Sequence, residues 1–275
     1  MTPSRLADVG SVTDGLTREP SLDRAALAGY WRNTNPDGQG LATLDIRFEG
    51  GQLAVDGEGS DGGVFHWHDP DTNRVYSETP FVASPIALAC RADLGGYAGL
   101  LQGNLNMGLL VVGLYRTADG KQPLGAFSRE FFARQEPPPR APRVGDSALF
   151  SGFVPPSTLD LEPMKGLWRN SDPAAQGLSV ICIESAGEGL AVAATAIGPD
   201  GPTDWGSTDA ATFACLDEGG KPSTSLLASF DFGFLRTDLQ LRTPGGILVA
   251  ACFNRFFDES GRLDYFTREF FYRRS

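Results

Sequence analysis

Apolar residues alternate with polar ones along most of this chain, and the alternation breaks every ten to twelve residues at Gly, Asp and Asn. A period of two belongs to a pleated strand with one face turned to a core. Breaks at that interval are the pattern of an all-β fold. Leu44, Ile46 and Phe48 share one face, with Asp45 and Arg47 on the other. Gly50-Gly51 turns the chain into 52–58, and Ser60-Asp61-Gly62-Gly63 turns it into 64–68. Further strands are predicted over 74–79, 86–93, 99–104, 109–117 and 125–134, with Ala118-Asp119-Gly120-Lys121 as the last hairpin turn. A second series of eight follows at 179–184, 190–196, 203–205, 212–216, 225–231, 237–243, 247–255 and 263–273. No long helical period interrupts either series.

The two series are copies. Trp31-Arg32-Asn33-Thr34-Asn35-Pro36-Asp37-Gly38-Gln39-Gly40-Leu41 returns as Trp168-Arg169-Asn170-Ser171-Asp172-Pro173-Ala174-Ala175-Gln176-Gly177-Leu178. Phe127-Ser128-Arg129-Glu130-Phe131-Phe132-Ala133-Arg134 returns as Phe266-Thr267-Arg268-Glu269-Phe270-Phe271-Tyr272-Arg273. The nearly constant offset marks duplication of one folding unit of roughly 110 residues, enough for its own core. The expected layout is a flexible tail over 1–25, a first β-barrel over 26–135, a Pro-rich linker over 136–160 and a second β-barrel over 161–275. Ser21 is expected to cap a short helical turn over 22–27.

Eight short antiparallel strands per copy suit an up-and-down barrel, which removes free edges by closing on itself. A sandwich fits the strand count nearly as well. The expected architecture is therefore two tandem antiparallel up-and-down eight-stranded β-barrels packed as an internal pseudo-dimer, in a monomer or a homodimer.

Charge narrows the partners. A net charge of −11 and a pI near 4.7 leave no basic face for phosphate backbones or anionic lipid. No nucleic-acid or membrane partner is expected. Residues 1–24 carry no apolar run of signal-peptide length, and one copy holds a single cysteine where the other holds three. Free thiols in a cytoplasmic protein are the expectation.

Gly29-Tyr30-Trp31 and Gly166-Leu167-Trp168 open the copies, and arginines at 129, 134, 268 and 273 stand on their final strands. This pairing resembles the calycin superfamily of lipocalins, fatty-acid-binding proteins and avidins. The resemblance implies a tryptophan laid across the barrel floor and covered by a basic side chain from the last strand. It also implies a small apolar ligand, and points to the cofactor-free natural-product cyclases with lipocalin-like or avidin-like barrels.

Motifs present in both copies read as scaffold. Glu130 and Glu269, beside the rim arginines, read as solvated salt-bridge partners. Features of one copy only are the candidates for chemistry. His66 and His68, the two histidines of the chain, flank Trp67 and share a strand face. Aligned on tryptophan, the second copy has Asp204-Trp205-Gly206 there. A zinc site would need further ligands, and neither Asp69 nor Glu58 has diagnostic spacing; one imidazole suffices for acid–base work.

Tyr76, Tyr97 and Tyr115 are also confined to the first copy, with Phe253 opposite Tyr115, whose strand parity places it in the interior. Gln102 and Asn104 share a face and answer Gln240 and Arg242. The first copy's Gly95, Gly96, Gly99, Gly103, Gly108 and Gly113 remove volume where the second has Phe230, Phe232, Phe234 and Phe253, so the cavity is expected in the first copy.

The resulting expectation is a cofactor-independent cyclase or isomerase acting on an apolar small molecule. His66, Tyr76, Tyr97 and Tyr115 would be catalytic, Trp67, His68, Gln102 and Asn104 would line the ligand, and no cofactor or metal is called for. A non-catalytic carrier, or an interaction module without ligand, stands beside it.

Overall fold

The computed structural model describes residues 24–38, 40–93, 98–117, 125–137, 156, 158–198, 200–216 and 222–273. The predicted tail up to residue 23, most of the linker, and Tyr97 lie outside the described residues. The described chain is all-β. The first copy holds β1 (Gly29–Asn33), β2 (Leu41–Glu49), β3 (Gln52–Gly59), β4 (Val64–Trp67), β5 (Arg74–Thr79), β6 (Val82–Asp93), β7 (Ala98–Asn106), β8 (Leu109–Arg116) and β9 (Gly125–Gln135). The second holds β10 (Gly166–Asn170), β11 (Gly177–Ala186), β12 (Gly189–Gly198), β13 (Gly201–Leu216), β14 (Pro222–Asp231), β15 (Leu235–Arg242), β16 (Leu248–Phe256) and β17 (Tyr265–Arg273). No described helix is long and apolar enough to cross a membrane.

Two details of the strand prediction change. The Gly-x-Trp motif is itself a strand, since β1 pairs with both β2 and β9. The predicted strands 203–205 and 212–216 are one, β13; a bulge at Trp205, followed by Gly206 at φ 78°, mimics a chain break.

In each copy the last strand returns to the first, so Trp31 pairs with Arg134 and Trp168 with Arg273. Antiparallel ladders run β5-β6-β7-β8-β9-β1-β2-β3-β4 in the first copy and β14-β15-β16-β17-β10-β11-β12-β13 in the second. Both are partly ringed sheets. The chain divides into two compact units, Leu22–Thr158 with Phe213–Ser223, and Leu159–Thr212 with Thr224–Ser275.

Each copy's sheet curls over its own apolar core. Trp31, Leu44, Trp67, Leu88, Leu101 and Phe132 centre the first; Trp168, Ile181, Val192, Leu239, Leu248 and Phe271 centre the second. The opening tryptophans are fixed identically. Trp31 Nε1 donates to Leu27 O at 3.0 Å, and Trp168 Nε1 to Met164 O at 2.9 Å. Arg134 lies 4.8 Å over the Trp31 ring and donates to Ala25 O and Ala26 O. Arg273 lies 4.7 Å over Trp168 and donates to Glu162 O and Pro163 O. A short turn ahead of each β1-type strand, a 3₁₀ turn at Arg24–Ala26 in the first copy, presents those carbonyls. Arg129 and Arg268 instead cover Phe131 and Phe270.

Glu130 and Glu269 are not solvated salt-bridge partners. Glu130 Oε2 accepts Leu41 N–H at 3.0 Å, and Asn33 Nδ2 donates to Leu41 O at 2.7 Å. Asn170 repeats the second bond, to Leu178 O at 2.7 Å, and also donates to Glu269. A Cβ on Gly40 would overlap the Glu130 carboxylate, which accounts for the glycine in the repeated Gln-Gly-Leu. Burial pushes both carboxyls up to about 7, against the opposing pull of these hydrogen bonds.

The sheet from β5 to β9 is buried on its other face too: Ala87, Ala89, Gln102, Tyr115 and Phe127 are at most 6 % exposed and lie outside the core cluster. A strand covered on both sides reads as a continuous apolar run, and β8 does.

Candidate functional site

On β4, Phe65 and Trp67 point into the core, so the alternation throws His66 and His68 outward. Asp56 stands directly across from His66 on β3, and Asp45 directly across from Asp56 on β2. His66 Nδ1 lies 2.6 Å, and His68 Nε2 2.7 Å, from the same atom, Asp56 Oδ1. The other oxygen, Oδ2, accepts Arg47 Nη2–H at 2.6 Å. Arg47 is held in turn by Asp45 at 2.6 Å and Glu49 at 3.2 Å. Burial raises the Asp56 pKa, but the hydrogen bonds from His66 and Arg47 and the Arg47 charge outweigh it and keep it below the ordinary carboxylate range. The imidazoles are exposed while the carboxylate between them is largely covered. Neither Asp69 nor Glu58 supplies the third group; Asp56 does.

A second set of polar atoms lies inward. Trp67 is wholly buried, and its Nε1–H has no hydrogen-bond partner. Ser77 Oγ, on β5, and Asn73 Oδ1, just before it, are likewise buried and unpartnered. The Asn73 amide donates to Leu53 O at 2.9 Å and Trp67 O at 2.7 Å, tying β3 to the end of β4. Each buried polar atom left without a partner costs about 1–3 kcal/mol.

The tyrosines fall elsewhere. On β8 the core cluster takes Leu110, Val112 and Leu114, so Tyr115 points to the opposite face rather than the interior. Its ring lies 4.5 Å from Phe127 and 5.0 Å from Phe213, whose backbone pairs in parallel with Gly125. Tyr76 and Asn104 both face Ala87 across the ladder, and Gln102 faces Ala89. Asn104 Nδ2 donates to Leu105 O at 3.2 Å. Tyr76, Gln102, Asn104 and Tyr115 thus share one sheet face, turned away from the core that holds Trp67.

No protein-family model matches the chain, and no curated protein matches it. A solved structure of unknown function from the DUF3598 family of Nostoc punctiforme PCC 73102 is similar over 90% of this chain and 97% of that one, at 10% identity and a TM-score of 0.33.

The ladders give a sharper comparison, between the copies. The cross-strand row Tyr30–Asp45–Asp56–His66 corresponds to Leu167–Cys182–Ala193–Ser207. Two residues along β2, Arg47 corresponds to Glu184 on β11. The surface cluster therefore belongs to the first copy alone. The same register pairs Trp67 with Thr208; Trp205 occupies the bulge, so aligning the copies on tryptophan is off by three residues. Gln102 with Gln240, Asn104 with Arg242 and Tyr115 with Phe253 do correspond.

The sequence reading missed Asp56, Arg47, Asn73 and Ser77. Outward parity on β2 and β3 was the available signal for the first two. None marks Asn73 or Ser77, whose burial is set by the strands around them.

Proposed function

We propose that the protein binds an apolar small molecule inside the first copy, each copy being an up-and-down barrel of the calycin type. One observation carries the reading: the wholly buried Trp67, packed in the apolar core cluster, keeps an unpaired indole N–H. A ligand carbonyl or ether oxygen there would recover the lost hydrogen bond, while the walls supply the hydrophobic contribution. Ser77 Oγ offers a further partner from β5. The stacked Trp31–Arg134 and Trp168–Arg273 pairs support the calycin comparison. Free Cys90, Cys182 and Cys252 support a cytoplasmic setting. In the second copy the Trp205 Nε1–H is likewise buried without a partner, but its ring is packed edge-on by Phe230 and Phe232 at 5.5 and 5.3 Å, and this aromatic filling supports assigning the ligand to the first.

Nile red, a neutral apolar dye with a carbonyl, tests this by fluorescence titration. The expected result is saturable uptake of one dye per chain, weakened about 5–30-fold by Trp67→Phe, the equivalent of about 1–2 kcal/mol. No saturable uptake, or unchanged affinity in Trp67→Phe, overturns the proposal. Native mass spectrometry of gently purified protein separates a loaded barrel from an empty one and gives the mass of any molecule retained. Incubating that molecule with protein separates carriage, which returns it unchanged, from cofactor-free cyclisation or isomerisation.

A further inference from the structure

We propose that Asp56, His66 and His68 form a surface binding site for a divalent transition-metal ion, Zn2+ being the representative probe. The ligand-capable atoms of the three side chains all lie within 4.8 Å of one another. Both imidazole nitrogens already converge on one carboxylate oxygen, at 2.6 and 2.7 Å. Ligand atoms around tetrahedral Zn2+ stand about 3.3 Å apart, so small side-chain rotations admit the ion. Two imidazoles and one carboxylate form a borderline-soft set that suits Zn2+ or Cu2+ better than Ca2+ or Mg2+.

The set also has an outer shell. Arg47 engages Asp56 Oδ2, leaving Oδ1 to the metal, and Asp45 and Glu49 hold Arg47 in place. Such partners orient metal ligands and are a usual part of a built site. Three carboxylates against one guanidinium leave two negative charges to balance a dication. The imidazoles, at 61% and 47% side-chain exposure, leave the remaining coordination positions open to water or an external ligand. The second copy has Ala193, Ser207 and Glu184 in place of Asp56, His66 and Arg47, so it lacks the set.

Binding has a distinct signature. While the imidazoles donate to Asp56, the proton sits on His66 Nδ1 and His68 Nε2; metal occupies those nitrogens and moves each proton to the other ring nitrogen. No other histidine exists in the chain, so histidine side-chain 15N spectra of the full-length protein report this site alone. Zn2+ titration by calorimetry is expected to give one ion per chain with micromolar or tighter affinity, and both histidine tautomers should exchange together. His66→Ala and Asp56→Asn should each weaken binding at least tenfold. No saturable binding, or binding that leaves the histidine spectra of the unsubstituted protein unchanged, overturns the proposal; so does affinity indifferent to His66→Ala, which marks an adventitious ion only.

Discussion

Replacing Glu130 with Gln should change the pH dependence of stability more than stability itself. The Glu130 carboxyl is buried beneath the turn into β2 and lifted from 4.5 to about 7. Between those values the unfolded chain has released a proton that the folded protein keeps. Folding is thus favoured at the acid end, and the advantage fades as pH rises through 7, at about 1.4 kcal/mol per pH unit. The full span is worth about 3 kcal/mol. Gln cannot ionise, yet its carbonyl can still accept the Leu41 N–H that Glu130 accepts at 3.0 Å. Urea unfolding followed by tryptophan fluorescence at pH 5, 6, 7 and 8 gives the stability of both proteins. Their difference cancels every other titrating group. Glu130→Gln should gain about 2–3 kcal/mol relative to the parent from pH 5 to pH 8, with most of the change before pH 7. A difference constant to within about 0.5 kcal/mol would refute the burial argument.

Gly57→Ala should cost about 1–3 kcal/mol, because its Cβ would stand 2.9 Å from the Trp67 ring and 3.1 Å from Leu41. Gly103→Ala, whose nearest neighbour is an ordinary 3.4 Å away, should be neutral or slightly stabilising in the same urea assay. Arg134→Ala removes the cation over Trp31 and should cost about 1 kcal/mol with a shift in tryptophan emission; Arg273→Ala should behave alike at Trp168. Cys90 and Cys252 are fully enclosed, and burial raises their thiols well above the ordinary value. Iodoacetamide followed by peptide mapping should leave both unmodified in the native protein and alkylate them once it is unfolded.

Much of this architecture could be read from the chain because it is written twice. Trp31 and Arg134 recur as Trp168 and Arg273, and the recurrence pointed to a cation stacked on an indole, as both copies show. Glu130 was harder: its repetition was visible, but its burial depends on the Asn33 turn folding back over it. Parity placed His66 and His68 together on one face, since that argument needs only the pleat. It could not supply Asp56, because the facing residue is set by hairpin register. Parity failed at Tyr115, where the strand is covered on both sides and apolar content no longer tells inside from outside. Trp205 misled for a related reason, as one bulge residue slides every later comparison.

A pleated ladder sends neighbouring side chains in opposite directions, so substitutions on one side leave the other side's packing almost untouched. The row from Asp45 to His66 and its counterpart from Cys182 to Ser207 illustrate that independence: the scaffold beneath is shared, while the decoration has diverged completely. The second sheet is accordingly a ready grafting platform. Engineering Ala193→Asp and Ser207→His there, with His replacing Asp209, would transplant the outward motif and ask whether local chemistry can be written onto a duplicate without rewriting its interior.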